Sequence, residues 1–272
     1  MTASATSTAG GLASVFAFLS IIPVRPGGRA AESDSAHTGL YGAARSMHLF
    51  PVAGCVIGLL AGLLAWVLLA VAGLEPLLAG LVTAAALLVI TGLHHTDGLA
   101  DFADGLMARG TRSRRRDAMK DKSTGTAGTA AIVLCVAGLI ITISMLGGGG
   151  DDGGLRIVVG LVLAEVAAKF SMVVMAYVGR PAPGGGSGSI FAEAMKDGRK
   201  VAASAAITVP ILVILGGLVP GLAVLAVLAV CVLAPAAMAG LAGRSFGGVT
   251  GDVFGAANDI VRIASLAVFV SL

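Results

Sequence analysis

Three aspartates, Asp97, Asp101 and Asp104, stand at i, i+4 and i+7 in the segment Gly92-Leu-His-His-Thr-Asp-Gly-Leu-Ala-Asp-Phe-Ala-Asp-Gly105. On a helix they fall within an arc of roughly 60° on one face. Three carboxylates so close repel one another unless something positive compensates. Carboxylate oxygens suit Mg²⁺, with Mn²⁺ as the alternative, and Mg²⁺ is commonly shared with substrate phosphates. Asp117 and Asp121 follow a basic run, again at i, i+4. Together the five aspartates Asp97, Asp101, Asp104, Asp117 and Asp121 provide for two metal positions, the arrangement that clamps both oxygens of an in-line phosphoryl displacement. Arg109, Lys120 and Lys122 lie beside them and would neutralise a diphosphate. Asp121 is also the candidate general base, and His95, two residues before Asp97, is positioned to meet a phosphate or to orient that aspartate.

Each of these residues has a plainer alternative. A single aspartate at a helix end is commonly just solvated, and a histidine beside an apolar face is more often packed than catalytic. Three aspartates on one arc against an apolar run are harder to explain that way, because ionisable groups at membrane depth mark function. Thr250 and Asp252 close a Gly-Gly-Val-Thr-Gly-Asp turn that reaches substrate at the same face or caps the last span. The run Arg112 to Arg116 contacts the nucleotide, or fixes topology and touches anionic lipid. Gly184 to Ser189 wraps phosphates with backbone amides or serves as a flexible linker.

The elements that must position these groups are membrane helices. Of 272 residues, 57% are hydrophobic and 12% charged, against about half and about a quarter in a soluble domain. Mean hydropathy is +0.96. A bilayer crossing needs about 20 apolar residues. Six runs qualify: Leu49–Leu74, Pro76–Leu93, Thr126–Leu146, Leu155–Val178, Val201–Leu218 and Leu222–Leu241. A seventh, Val253–Leu272, carries Asn258, Asp259 and Arg262 in its first half. Gly11 to Val24 is too short to cross and reads as an interfacial or re-entrant helix, not a removable leader. The expected fold is therefore all-α: one integral-membrane domain over residues 1–272, a polytopic bundle of six to seven spans. Cys55, Cys135 and Cys231 all lie in apolar runs, which argues against disulfides. Fifteen loop Lys and Arg fall on one side of this topology and only Arg156 on the other. The basic side is thus expected to face the cytoplasm, and the Asp-rich, Gly-rich and Thr250–Asp252 segments all emerge there.

At this point the chain resembles a known family. Gly92-x-His94-His95-x-Asp97-Gly-Leu-Ala-Asp101-x-x-Asp104-Gly resembles the signature of the cobalamin (5′-phosphate) synthases, or adenosylcobinamide-GDP ribazoletransferases. Phe18-Leu-Ser-Ile-Ile-Pro-Val24, Phe50-Pro-Val-x-Gly54, Lys120-Asp-Lys-Ser-Thr-Gly-Thr-Ala-Gly128 and Gly247-Gly-Val-Thr-Gly-Asp-Val-Phe-Gly-Ala256 resemble further family segments in the same order. The resemblance implies a membrane transferase with Mg²⁺ as cofactor. It would join adenosylcobinamide-GDP to α-ribazole or its 5′-phosphate, releasing GMP. Asp101-x-x-Asp104-Gly-x-x-Ala108-Arg109 also resembles the first half of the CDP-alcohol phosphotransferase signature; in the second half Asp117 and Asp121 fit, but Ser113 replaces a Gly. The partners implied are these two substrates and the lipid bilayer. No nucleic acid is expected, and a homo-oligomer is compatible with the sequence. A phospholipid-making phosphotransferase, an ion-coupled transporter and a non-catalytic membrane subunit are the competing readings. The edge position of the aspartates beside a basic loop favours phosphate chemistry over midplane ion coupling.

Overall fold

A computed structural model describes residues 8–24, 35–147, 153–217 and 221–272. Arg25 and Arg29, two of the fifteen basic loop residues counted above, and Asp151 and Asp152 lie outside the described residues. All described elements are helical, and the one β-type contact is an isolated bridge between Pro181 and Val249. In chain order the helices are α1 (Thr8–Leu19), α2 (Ser35–Arg45), α3 (Phe50–Trp66), α4 (Pro76–Ile90), α5 (His94–Met107), α6 (Arg112–Ala118), α7 (Thr126–Gly147), α8 (Gly153–Val178), α9 (Ser187–Ala194), α10 (Gly198–Gly216), α11 (Gly221–Ser245) and α12 (Gly251–Ser271). A 3₁₀ turn leads into α3 and a π turn, Val67–Val71, extends it.

Among the described residues six helices are long and apolar enough to cross a membrane: α3, α7, α8, α10, α11 and α12. The chain is a multi-pass membrane protein. Helix α4 followed by α5 would make a seventh crossing but for a 90° bend between them. We take α4 as the crossing. With three aspartates in 14 residues α5 is no span by itself, and it leaves α4 to pack across one mouth of the bundle. At 12 residues α1 is about 18 Å long, too short to cross, and it ends before Pro23.

Helix α8 is the axis of the bundle and is buried along nearly its whole length. Helix α3 lies directly on it because Gly54, Gly58 and Gly62 recur every fourth residue. A Cβ at Gly54 would stand 2.6 Å from the Glu165 carbonyl oxygen, and one at Gly58 2.6 Å from Val162 Cα. Lipid tails give little drive for helix association, so backbone approach through small residues is what holds such a pair.

The sequence also explains the bend before α5. Thr91 donates its hydroxyl to the Leu87 carbonyl, 2.9 Å, at the last turn of α4. Gly92 and Leu93 both take left-handed backbone, φ +69° and +60°. Leu93 N–H then bonds the Leu88 carbonyl and Gly92 N–H that of Val89, a Schellman closure. A non-glycine residue held left-handed costs about 1–2 kcal/mol, and Leu93 is held there at the first residue before the acidic helix.

Candidate active site

Helix α5 presents its aspartates as the spacing requires. Its position against α12 depends on two glycines. A Cβ on Gly98 would stand 2.9 Å from the Asp252 carbonyl oxygen, and one on Gly255 3.0 Å from that of His95. The crossing brings Asp252, in the first turn of α12, beside Asp97 and Asp101, about 150 residues earlier in the chain. Thr250, not Asp252, occupies the cap position, and its hydroxyl donates to Asp252 Oδ2 at 3.1 Å.

The Gly247–Gly248 turn delivers α12 to this point. Both glycines have positive φ, and a Cβ on Gly248 would stand 2.5 Å from Arg180 O and Ala182 N. Ala182 N–H donates to Val249 O at 3.0 Å and Val249 N–H to Arg180 O at 2.8 Å. The loops before α9 and α12 are thereby zipped together. Gly184, Gly185 and Gly186 continue this loop with positive φ and open surroundings, and lead into Ser187. So the three polar segments that the sequence places on one side do converge at one mouth.

There they enclose a cavity of about 410 Å³, within the range of small-molecule sites. His94, His95, Asp97, Ser187, Gly251 and Asp252 form its polar side; Phe18, Met172, Phe191 and Phe254 are among its apolar lining. His95 is 7% exposed and its Nδ1 has no hydrogen-bond partner. Burial, with the charges of Lys169 and Arg262, holds this imidazole well below its usual pKa, so it is neutral. Asp101 is half-buried beside the cavity. Burial, then the charges of Asp252, Asp97 and Asp104, raise its carboxyl to about 6.

The other sequence candidates sit differently. Asp104 accepts Gly125 N–H on Oδ2 at 2.7 Å and Gly128 N–H on Oδ1 at 2.8 Å. It therefore holds the N-terminus of α7, where Gly125 and Gly128 leave room for it. Asp117 and Asp121 do not share a helical face, because α6 ends at Ala118. Asp117 is exposed. Asp121, also exposed, accepts Ser123 N–H at 2.9 Å in a local turn. Neither lines the cavity. Arg109, Lys120 and Lys122 are exposed; Lys120 is near enough to Asp252 for its charge to act there. The arginine run is largely structural: Arg112 Nε donates to Arg244 O (3.1 Å), Arg115 to Leu106 O (3.1 Å) and Arg116 to Phe246 O (2.6 Å). These are carbonyls at the C-terminal ends of α11 and α5, where cations are favoured.

Beneath the cavity lies a charged network that the sequence reading only half saw. Glu165, Lys169, Asp259 and Arg262 are fully buried. Glu165 pairs with Arg262 and, at 3.2 Å, with Lys169. Lys169 donates to Asn258 Oδ1 at 2.6 Å, and Arg262 to Asp259 Oδ1 at 2.8 Å. Thr96 on α5 donates to Asp259 Oδ2 at 2.9 Å, tying the acidic helix to this network. Glu165 went unremarked in the sequence. The signal was its i, i+4 spacing to Lys169 inside a span, facing a second span with its own charges.

As a metal site the donor chemistry fits a hard divalent cation. All the clustered groups are carboxylate oxygens, and the Asp101 carboxyl is raised by burial first and then by its acidic neighbours. Among the described residues no three of His, Cys, Asp and Glu are gathered closely enough to ligate one ion. Mg²⁺ does not require an all-protein cage, being commonly held by one or two carboxylates plus substrate phosphates.

Fold and site together define a multi-pass membrane enzyme with an acidic cavity at one mouth of its helix bundle. The chain belongs to the cobalamin-5-phosphate synthase family, whose model matches residues 11–270. It is 36% identical over 228 residues to an adenosylcobinamide-GDP ribazoletransferase of Halorubrum lacusprofundi, covering 82% of this chain and 85% of that protein. A protein of the same name from Methanocella arvoryzae is 33% identical, over 95% and 94% of the two chains. One from Escherichia coli is 30% identical, over 82% and 86%. No solved structure matches the chain.

Proposed function

We propose that this chain joins adenosylcobinamide-GDP to α-ribazole, or to its 5′-phosphate, at the cavity between α5 and α12, releasing GMP. The observation that carries the reading is the contact of Gly98 with Asp252. It brings the Asp97–Asp104 segment and the late Gly-Gly-Val-Thr-Gly-Asp segment, both family-like, onto one cavity.

A ribose hydroxyl of the acceptor attacks the phosphorus bearing the cobinamide. A new O–P bond forms, the bond to the bridging oxygen breaks, and GMP leaves with that oxygen and its electron pair. His95, neutral and with Nδ1 unpartnered, accepts a hydrogen bond from the hydroxyl and orients it, while the proton passes to the Asp101 carboxylate, raised to about 6, and from there to solvent. Asp97 and Asp252 are the residues that would hold Mg²⁺ together with the substrate phosphates, with Asp101 beside them and Asp104 bracing the α5–α7 junction behind. When bound, the cation supplies charge neutralisation to the diphosphate. Asp117 and Asp121 stand outside this set, and Arg109, Lys120 and Lys122 form the exposed basic approach for the anionic donor. The site faces the cytoplasm at the cell membrane, because the loops around this mouth carry the basic excess.

The test is GMP release by purified protein in liposomes given adenosylcobinamide-GDP and α-ribazole, with and without Mg²⁺. Release requiring both acceptor and metal is expected. Release of CMP from CDP-diacylglycerol instead, or no GMP at all, would overturn the reading.

A further inference from the structure

We infer that the apolar lining of the cavity seats the aromatic base of the acceptor, with Phe18 on α1 as a specificity-determining wall. This rests on the reading just given. The cavity lining holds two groups of side chains: the polar Asp97, Asp252 and His95, and the aromatic Phe18, Phe191 and Phe254, whose rings pack in sequence on one another. The aromatic group is a built surface. Phe191 lies 5.0 Å from Phe18 and 5.9 Å from Phe254, ring centroid to ring centroid, and Phe50 backs both Phe18 and Phe191. Phe191 and Phe254 are each 2% exposed, so their rings are held by packing rather than free to rotate away.

α-Ribazole has the same polarity pattern: a flat apolar benzimidazole at one end and ribose hydroxyls at the other. Placed with its base on the phenylalanines, it puts its hydroxyls at His95 and the aspartates. The donor, several times larger, does not fit within about 410 Å³ and must bring its diphosphate to the polar rim from outside. The rings also set selectivity. Phe18, the half-buried ring, offers a methylated benzimidazole a π-face, and none of the three rings offers a hydrogen bond, so a purine would bury its exocyclic amine unpaired. Phe18 is only half-buried and comes from the short helix α1, so it is the wall residue whose change disturbs the bundle least.

The experiment varies each substrate separately in the liposome assay, with α-ribazole and the α-linked adenine riboside as acceptors. Phe18→Ala is expected to raise KM for α-ribazole about tenfold, the scale of one lost base–aromatic stack, while KM for the donor stays within twofold. Preference for the benzimidazole over the adenine riboside should narrow in the same variant. Phe18→Leu, which keeps the apolar bulk but not the π-face, carries the test should Phe18→Ala fail to fold, and is expected to raise acceptor KM by a smaller factor. An unchanged acceptor KM, or a rise shared equally by the donor, would sink the assignment. Failure of the wild-type protein to release GMP would instead refute the underlying reaction, so the two failures are separable.

Discussion

Asp101→Asn and Asp104→Asn, three residues apart on one helix, should change stability in opposite directions. Asp101 has a carboxyl raised from 3.8 to about 6 by burial and by Asp252, Asp97 and Asp104. A group whose folded pKa lies above its unfolded value costs stability when ionised. The cost is fully present above about pH 6 and disappears as pH falls through 6 towards 4. The shift corresponds to about 3 kcal/mol; Asp101 is partly open to solvent, and screening reduces this to about 1 kcal/mol. Asp101→Asn should therefore stabilise the metal-free protein at pH 7 by about 1 kcal/mol, roughly 2–4 °C in melting temperature. Asp104 holds two amide hydrogens of the α7 N-terminus. An asparagine can accept only one and turns an N–H at the other, so Asp104→Asn should cost about 1 kcal/mol or more. Circular dichroism of the helices reports both melts in detergent with chelator present, across the whole pH range. The gap between Asp101→Asn and wild type should close by about pH 4. A destabilised Asp101→Asn, or a gap indifferent to pH, would refute the like-charge account of this cluster.

Two further outcomes test what holds the site in place. Arg262→Met leaves Glu165 and Asp259 buried with Lys169 as their only cation, and should cost about 3–5 kcal/mol; wild-type melting behaviour in this variant would show the network to be dispensable. Gly58→Val places a side chain against the backbone of α8 at Val162 and should cost about 3 kcal/mol or abolish monodisperse protein, whereas Leu59→Val, exposed on the same helix, should do neither.

The spans were legible because apolar runs of the required length leave few alternatives, and α3, α7, α8, α10 and α11 fall close to the runs read from the sequence. The convergence of loops was legible from charge alone. Less visible was anything decided by angle. Gly92 announces the end of α4, but nothing in Thr91-Gly-Leu93 states that α5 departs at 90°. The i, i+4 spacing of Asp117 and Asp121 was read as a shared face, and it fails because α6 lasts only seven residues. Spacing carries geometric meaning only where the helix continues, and a run of arginines followed by Lys-Asp-Lys-Ser-Thr-Gly has no apolar stripe to continue it.

The arginine run and Asp104 share a further lesson. Asp104 was read as a metal ligand and the arginine run as a nucleotide contact or a topology signal, and both bind backbone: the arginines hold the carbonyl ends of α5 and α11, and Asp104 holds the amide end of α7. At a bundle mouth where three helix termini meet, the unpaired backbone groups are the first demand on any nearby charge. A charged motif there must therefore be apportioned between helix ends and substrate. Asp97 and Asp252 face the cavity while Asp104 faces an amide pair. That division explains how one acidic helix both closes the bundle and leaves carboxylates free for a cation. It also means that loss of activity in an Asp104 variant cannot be read as loss of a metal ligand until its effect on the α7 terminus has been measured.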